Sequence, residues 1–372
     1  MKKRIVSLIL SAILAVSLAA CGKGDSSGKT DTESKNTSAG SESTYTETYE
    51  WNVSITFGEP ATRNILAMLD EVEEKTNGRM KFNVYPSNSL VGITEVPDAL
   101  RDGIADIALV ASVNYPSILT YNAELIGMPF SGIQDSYQAC ELWHALYEEY
   151  PDEMQGELDE MGALVWYAYA TPQYHILTTD SRNEIRKPED LKGHKIMSGK
   201  TQWIDFVNQY GGAGIQQAPT AYYENLEKGV ADGIIQSYTT TRTFGCLELM
   251  GSATEFAEEG AFYDMFFLAI SQKSWNELDS EVQQAFLDVN ADYAAEIAEN
   301  DRSMSDNASA IEELGDGFNR VILTDEEVRV WQDAMKPINE KAVTTLTETY
   351  KKDKTAEMYE WMLDWLKEKN AQ

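Results

Sequence analysis

"RDGIADIALV" at residues 101–110 and "EKGVADGIIQ" at residues 227–236 are one phrase written twice. Each ends a helical pattern with a charged residue and a glycine, then continues with a β-branched residue, Ala-Asp and an apolar run. Glycine suits the position just past a helix, where a left-handed conformation is needed and the missing Cβ makes it cheap. The apolar runs that follow are too short for core helices and read as buried strands.

The segments in front of the two phrases also correspond. In the first half, Ile65, Met68, Leu69 and Val72 fall at helical spacing and Asn77-Gly78 stops the helix. Met80, Phe82 and Val84 then alternate as a strand, and "PDALRDG" forms the next helix. In the second half "HKIM" is a strand, residues 201–210 a helix stopped by Gly211-Gly212, and "IQQAP" a strand. Residues 220–228 form a helix and "ADGIIQ" the strand after it. Strand-helix alternation of this kind builds parallel sheets with right-handed crossovers.

Two such units predict an α/β protein of two lobes, with ligand-binding loops at the carboxyl ends of the strands. One continuous doubly wound sheet is the alternative. The expected division is 51–173 for lobe I, 174–254 for lobe II and 255–372 for the remainder. That remainder holds a lobe-bridging strand, a long helix and C-terminal helices, part of it returning to lobe I. Residues 275–315 read as a long, acidic, mostly helical segment able to brace both lobes. "TDEEVRVWQDAM" (324–335) opens with a capping-box pattern from Thr324 to Glu327. "AEMYEWMLDWLKEKN" (356–370) is an amphipathic helix whose Met and Trp stripe is packing surface.

The N-terminus is an address. Lys2, Lys3 and Arg4 precede an uncharged apolar stretch over 5–20, which ends in "LAAC" before the chain turns polar. Residues 1–20 therefore read as a secretory leader, too short for a comfortable membrane span. The ending resembles a bacterial lipobox, which implies cleavage before Cys21 and a lipid on its sulfur. Such a lipid would tether the mature chain to the outer face of the cytoplasmic membrane without a spanning helix. Residues 22–50 hold no aliphatic side chain larger than alanine, so 21–50 reads as the lipidated cysteine and a flexible linker. Gly24-Asp25-Ser26-Ser27-Gly28 spells G-x-S-x-G, but that motif carries meaning only on a strand-turn-helix.

Composition excludes several functions. Lysine and arginine number 30 against 61 aspartates and glutamates, net −31, which argues against a nucleic-acid partner. Besides Cys21 only Cys140 and Cys246 are present, with no C-x-x-C or Cys/His cluster, and whether these two pair is open. His144, His175 and His194 show no H-E-x-x-H spacing, so no metal or other cofactor is expected. "GHKIMSGKT" (193–201) looks like a P-loop, but five residues separate its glycines and Gly193 precedes the strand. Only Ser198-Gly199-Lys200 join strand to helix, which leaves no room for a phosphate cradle.

"NGRMKFNVYPSNSLVG" (77–92) with "ALRDGIADIALV" resembles the first lobe of the solute-binding proteins of TRAP transporters, which are tripartite, ATP-independent, ion-driven importers. "KPEDLKGHKIM" with "APTAYYENLEKGVADG" (218–233) resembles the second, and the likeness runs in order from about Trp51 into the C-terminal helices. The resemblance implies a periplasmic-binding-protein-like fold whose two lobes close on a small solute. It further implies a protein without enzymatic activity that passes the solute to the small and large membrane subunits of a permease; a monomer is expected, although the sequence does not fix the oligomeric state.

The family typically ends the strand with K-I-R, the arginine forking onto a ligand carboxylate. Here Met197 stands in that place and offers no donor. Lys200, at the start of the next helix, is the available substitute together with that helix's amino end. A neutral or weakly polar solute is therefore expected ahead of a monocarboxylate. Tyr222 falls where the family often has an aromatic over the ligand, and Gln236 where it often has asparagine. By the same likeness Glu59, Ala111 and Ser112 should line the opposite wall, with Tyr169, Tyr174 and His175 near the crossing between lobes. Trp203 reads as core packing. The rival functions are a binding protein for an ABC importer or sensor, a structural lipoprotein, and a surface glycosidase, although the acidic pattern picks out no carboxylate pair.

Overall fold

The computed structural model describes residues 46–58, 62–257 and 260–371. The leader, Cys21, the linker up to residue 45 and Glu59 lie outside the described residues. The first strand begins at Tyr49, where the sequence had suggested linker up to 50, because Tyr49 and Glu50 already pair with Met80 and Lys81.

The strands are β1 (Tyr49–Ser54), β2 (Met80–Tyr85), β3 (Ile107–Ala111), β4 (Ala163–Ala170), β5 (His175–Thr178) and β6 (Lys195–Ser198). They continue with β7 (Ala213–Gln216), β8 (Gly233–Gln236), β9 (Ser252–Glu255), β10 (Met265–Ser271) and β11 (Asn319–Ile322). Two sheets form, in the orders β2-β1-β3-β10-β4 and β11-β9-β5-β8-β6-β7. In the first, β1 runs parallel to β2 and β3 while β10 is antiparallel to β3 and β4. In the second, β6 runs parallel to β7 and β8 while β5 is antiparallel to β8 and β9. The arrangement is the two-lobe α/β fold, with helices covering each sheet.

The repeated phrase has a physical meaning in both copies. Gly103 and Gly229 adopt φ of 71° and 67°, the left-handed conformation that closes a helix. The next N–H groups, of Ile104 and Val230, donate back to Ala99 and Asn225 carbonyls at 2.9 Å. The aspartates then staple strands together. Asp106 accepts the Asn52 N–H at 2.7 Å, tying β3 to β1, and Asp232 accepts the Lys195 N–H at 3.0 Å, tying β8 to β6. Both carboxylates are structural.

The 275–315 segment departs from the expected single long element. It is divided into helices Gln272–Glu277, Ser280–Val289 and Ala294–Glu312, with Asp292 and Tyr293 in left-handed conformations between the last two. Two side chains start new helices where one might have continued. Asp279 accepts the N–H groups of Glu281 and Val282, and the Asn290 side chain accepts that of Ala295.

The longest strut lies further on, in the 26-residue helix Asp325–Tyr350. Its capping box forms: Thr324 Oγ1 accepts the Glu327 N–H at 3.3 Å, and the Glu327 carboxylate accepts the Thr324 N–H at 2.8 Å. Trp331 and Met335 enter the core of the second lobe, whereas Val343 and Leu346 enter the core of the first. Pro337 sits between those anchorages.

The chain crosses between the sheets at 171–174 and again at 261–264, and the two crossings lie side by side. Thr171 N–H donates to the Asp264 carbonyl at 2.9 Å, and Ala261 N–H to the Tyr174 carbonyl at 2.8 Å. The Tyr174 and Phe262 rings stack with centroids 4.3 Å apart. This paired ribbon is the joint between the lobes.

Candidate functional site: an interlobe cavity

Parallel strands leave their loops at their carboxyl ends, and here the carboxyl ends of both sheets face one cavity of about 100 Å³. The first lobe supplies Thr56 and Phe57 beyond β1, Asn88 and Ile93 beyond β2, and Ala111, Val113 and Asn114 at the end of β3. The second supplies Ser198 at the end of β6 with Gly199 and Lys200 after it, residues 218–220 and Tyr222 beyond β7, and Gln236 at the end of β8 with Phe244 beyond it. Tyr174, Phe262 and Asp264 of the ribbon, with Phe266 of β10, close the back. Phe57 of one lobe meets Phe244 of the other edge-on at 6.4 Å and lies 5.8 Å from Phe266. A wider groove of about 520 Å³ lies between 245–250 and 313–318, but it draws on residues of the second lobe's side alone.

Among the sequence-selected residues, Ala111, Tyr174, Lys200, Tyr222 and Gln236 come together on this cavity. Met197 does not line it and packs in a core cluster with Leu177 and Ile234. Ser112 is buried behind the wall, its hydroxyl donating to the Met265 carbonyl at 2.5 Å. Tyr169 sits one layer back and stacks on Phe266 at 5.3 Å. His175 is also behind the wall, where its Nδ1 accepts the Phe256 N–H at 3.4 Å. Trp203 is fully buried in the second lobe. Cys140 and Cys246 are unpaired and belong to the cores of different lobes.

Lys200 is held by partners far away in sequence. Its ammonium lies 3.1 Å from the Glu124 carboxylate and 3.5 Å from that of Asp264, with the side chain 3% exposed. Burial opposes its charge, but Glu124 and Asp264 outweigh that and hold its pKa above the usual lysine value. Burial raises Asp264, and Lys200 and the Tyr174 hydroxyl only partly offset it. Glu124 belongs to a π-helical turn, Thr120–Glu124. That turn is fixed by Glu157, whose carboxylate accepts the N–H groups of Tyr121 and Asn122 at 3.0 Å and pairs with Lys352 at 3.1 Å. Gly127 leaves the space the ammonium needs, since a Cβ there would lie 2.5 Å from Nζ.

Two further details fix what the walls can offer. The Gln236 side-chain oxygen accepts the Ser237 N–H at 2.9 Å, so the group this residue presents elsewhere is its NH2 donor. Phe57, Tyr174, Tyr222, Phe244, Phe262 and Phe266 together make the lining strongly aromatic. Asp264, Phe262 and Phe266 escape sequence reading. Their signal is a lone aspartate in "AFYDMFFLAI", because a charge inside an apolar run must find a partner when buried.

His175 makes the fold acid-sensitive. Burial pushes its pKa down from 6.5 to about 4, with Glu255 opposing and Arg320 assisting. Between those values the unfolded chain binds the extra proton, so stability is lost as pH falls. The expected loss from pH 7 to pH 4 through this ring is about 3 kcal/mol. Urea unfolding across that range, in wild type and in His175→Gln, measures it as the difference between the two slopes.

Two α/β lobes, joined by paired crossings and facing each other across a lined cavity, define a binding protein of the clamp type. The chain belongs to the bacterial extracellular solute-binding protein family 7 (DctP), whose family model matches residues 55–345. It is 27% identical over 287 residues to a solute-binding protein of Albidiferax ferrireducens, covering 74% of this chain and 78% of that one. It is 24% identical over 222 residues to the 2,3-diketo-L-gulonate-binding periplasmic protein YiaO of Escherichia coli, covering 59% and 64%. The fold is shared with a TRAP solute-binding protein from a Sulfitobacter species holding β-D-galacturonate, at TM-score 0.71, 19% identity, and 84% and 99% coverage. It is shared equally with one from Rhodoferax ferrireducens holding copurified benzoate, at TM-score 0.70, 15% identity, and 86% and 99% coverage. Among the described residues no helix is long and apolar enough to cross a membrane.

Proposed function

We propose that this protein is the solute receptor of a TRAP-type importer, anchored by a lipid on Cys21 to the outer face of the cytoplasmic membrane. Residues 1–20 direct export, and the chain beyond Cys21 carries the folded body away from the bilayer. Lobe I and lobe II rotate about the ribbon at 171–174 and 261–264, close on one small organic solute and present it to the small and large permease subunits. No chemical step is involved, and one chain suffices. The observation that carries this reading is the cavity at the facing strand ends of both sheets, inside the region that matches the family. The uronate and benzoate held by solved relatives mark the size range of such solutes.

A ligand that binds only the folded state raises the melting point by mass action. A thermal-shift screen of the mature domain against a broad metabolite library should therefore yield a stabiliser, and small-angle scattering should show compaction with it. Tyr222→Ala and Gln236→Ala are each expected to weaken that binding at least tenfold, and unchanged affinity in both would move the site elsewhere. Cys21→Ser should release the protein from the membrane fraction.

A further inference from the structure

We infer that the cavity takes a small solute with a protonated amine at one end and an uncharged oxygen, hydroxyl or carbonyl, at the other. The inference rests on the solute-binding reading above and specifies its ligand.

The charges around the cavity come first. No arginine is found among the described lining residues, and the one lining cation is Lys200. That ammonium is already committed to Glu124 at 3.1 Å and Asp264 at 3.5 Å. One positive charge thus faces two carboxylates, both nearly excluded from water. A ligand carboxylate would be a third acid on the same ammonium, in a place where burying unbalanced charge is costly. An ammonium entering beside Asp264, which itself lines the cavity, balances the set.

The remaining groups fit the same guest. Six aromatic residues line the walls, and ring faces attract cations, more so where water is excluded. Gln236 is oriented by Ser237, so its NH2 asks for an acceptor on the solute. An uncharged oxygen meets that demand without adding negative charge. Size limits the guest further. The cavity is about 100 Å³, whereas an engineered protein cavity that admits benzene measures about 150 Å³. A short aliphatic amine fits as the walls stand, and a ring needs the lobes to part slightly.

Two trios of probes that differ mainly in their charged group test this directly. The first is 3-amino-1-propanol, 1,3-propanediol and 3-hydroxypropanoate; the second is benzylamine, benzyl alcohol and benzoate. Titration calorimetry and thermal shift on the wild-type mature domain should rank an amine at least tenfold tighter than its matched carboxylate. Asp264→Asn should remove that preference, read as the ratio of amine to carboxylate affinity within each trio. The wild-type ranking decides the matter even if the variant does not fold. A carboxylate that binds more tightly, a trio without ranking, or no binding by any probe overturns the inference. The clamp reading fails separately, if the metabolite library yields neither a stabiliser nor compaction.

Discussion

Lys200→Met is expected to cost about 3–5 kcal/mol of stability at neutral pH, on the order of what is lost when one member of a buried ion pair is removed. The side chains of Glu124 and Asp264 are only 7% and 6% exposed, so water cannot take over from the missing ammonium. The pH dependence gives the effect a signature. Without the cation that partly offsets its burial, the Asp264 carboxyl stands still further above its unfolded-chain value. The folded variant then binds more protons, and its stability recovers as pH falls toward the ordinary carboxyl range near 4. Denaturant unfolding of wild type and variant at pH 7 and pH 5 should show the gap narrowing. A second substitution, Glu124→Gln, should restore part of the loss, because residues in contact do not act additively. A Lys200→Met protein as stable as wild type at pH 7 would mean that the ammonium does not hold Glu124 and Asp264 as described.

Trp331→Ala is expected to cost a similar 3–5 kcal/mol, in the range for deleting a fully buried aromatic. The ring is completely enclosed, 5.1 Å from Phe256, 5.6 Å from Phe206 and 6.3 Å from Trp203 between centroids. Its indole N–H donates to the Arg186 carbonyl at 3.0 Å, which would be left without that donor. The damage should be local. Amide exchange should quicken in β5, β6 and β8 while β1 and β3 stay protected, because Trp331 belongs to the core of the second lobe alone. Uniform loosening of both lobes would contradict this. Trp331→Phe, which keeps most of the volume, should cost clearly less.

Those two residues show where sequence reading reaches and where it stops. The doubled phrase around Gly103 and Gly229 is local, so helix stop, strand and strand-tying aspartate can all be read from a dozen letters. Lys200 is conspicuous beside a helix start, but Glu124 is 76 residues away and nothing short-range announces the pair. Trp331 reads as one apolar position in a capped helix, and no spacing says which lobe it enters. Cavity residues such as Phe57, Asp264 and Phe266 fall before the first copy of the repeat or after the second, outside any motif. Met197 illustrates the opposite error. A position aligned to a ligand-binding arginine suggests a wall residue, yet methionine has no polar group to place there, and its side chain joins the core cluster of Leu177 and Ile234. The broken helical segment at 278–293 escaped for a simpler reason. Asp279 and Asn290 are as compatible with a helix surface as with a cap until their partners are known.

Pro337 gives the long strut an uneven stiffness. A helix anchored at one end by Trp331 and at the other by Leu346 would otherwise resist any rotation of one half of the molecule against the other. Proline lacks the N–H that would bond to the carbonyl of Asp333, and its ring crowds that same carbonyl. Flexure is thereby concentrated at a single turn, between residues loyal to different halves. A rod with one rung missing bends most readily at that rung, and a swing of the jaws taken up there leaves both cores their grip on it.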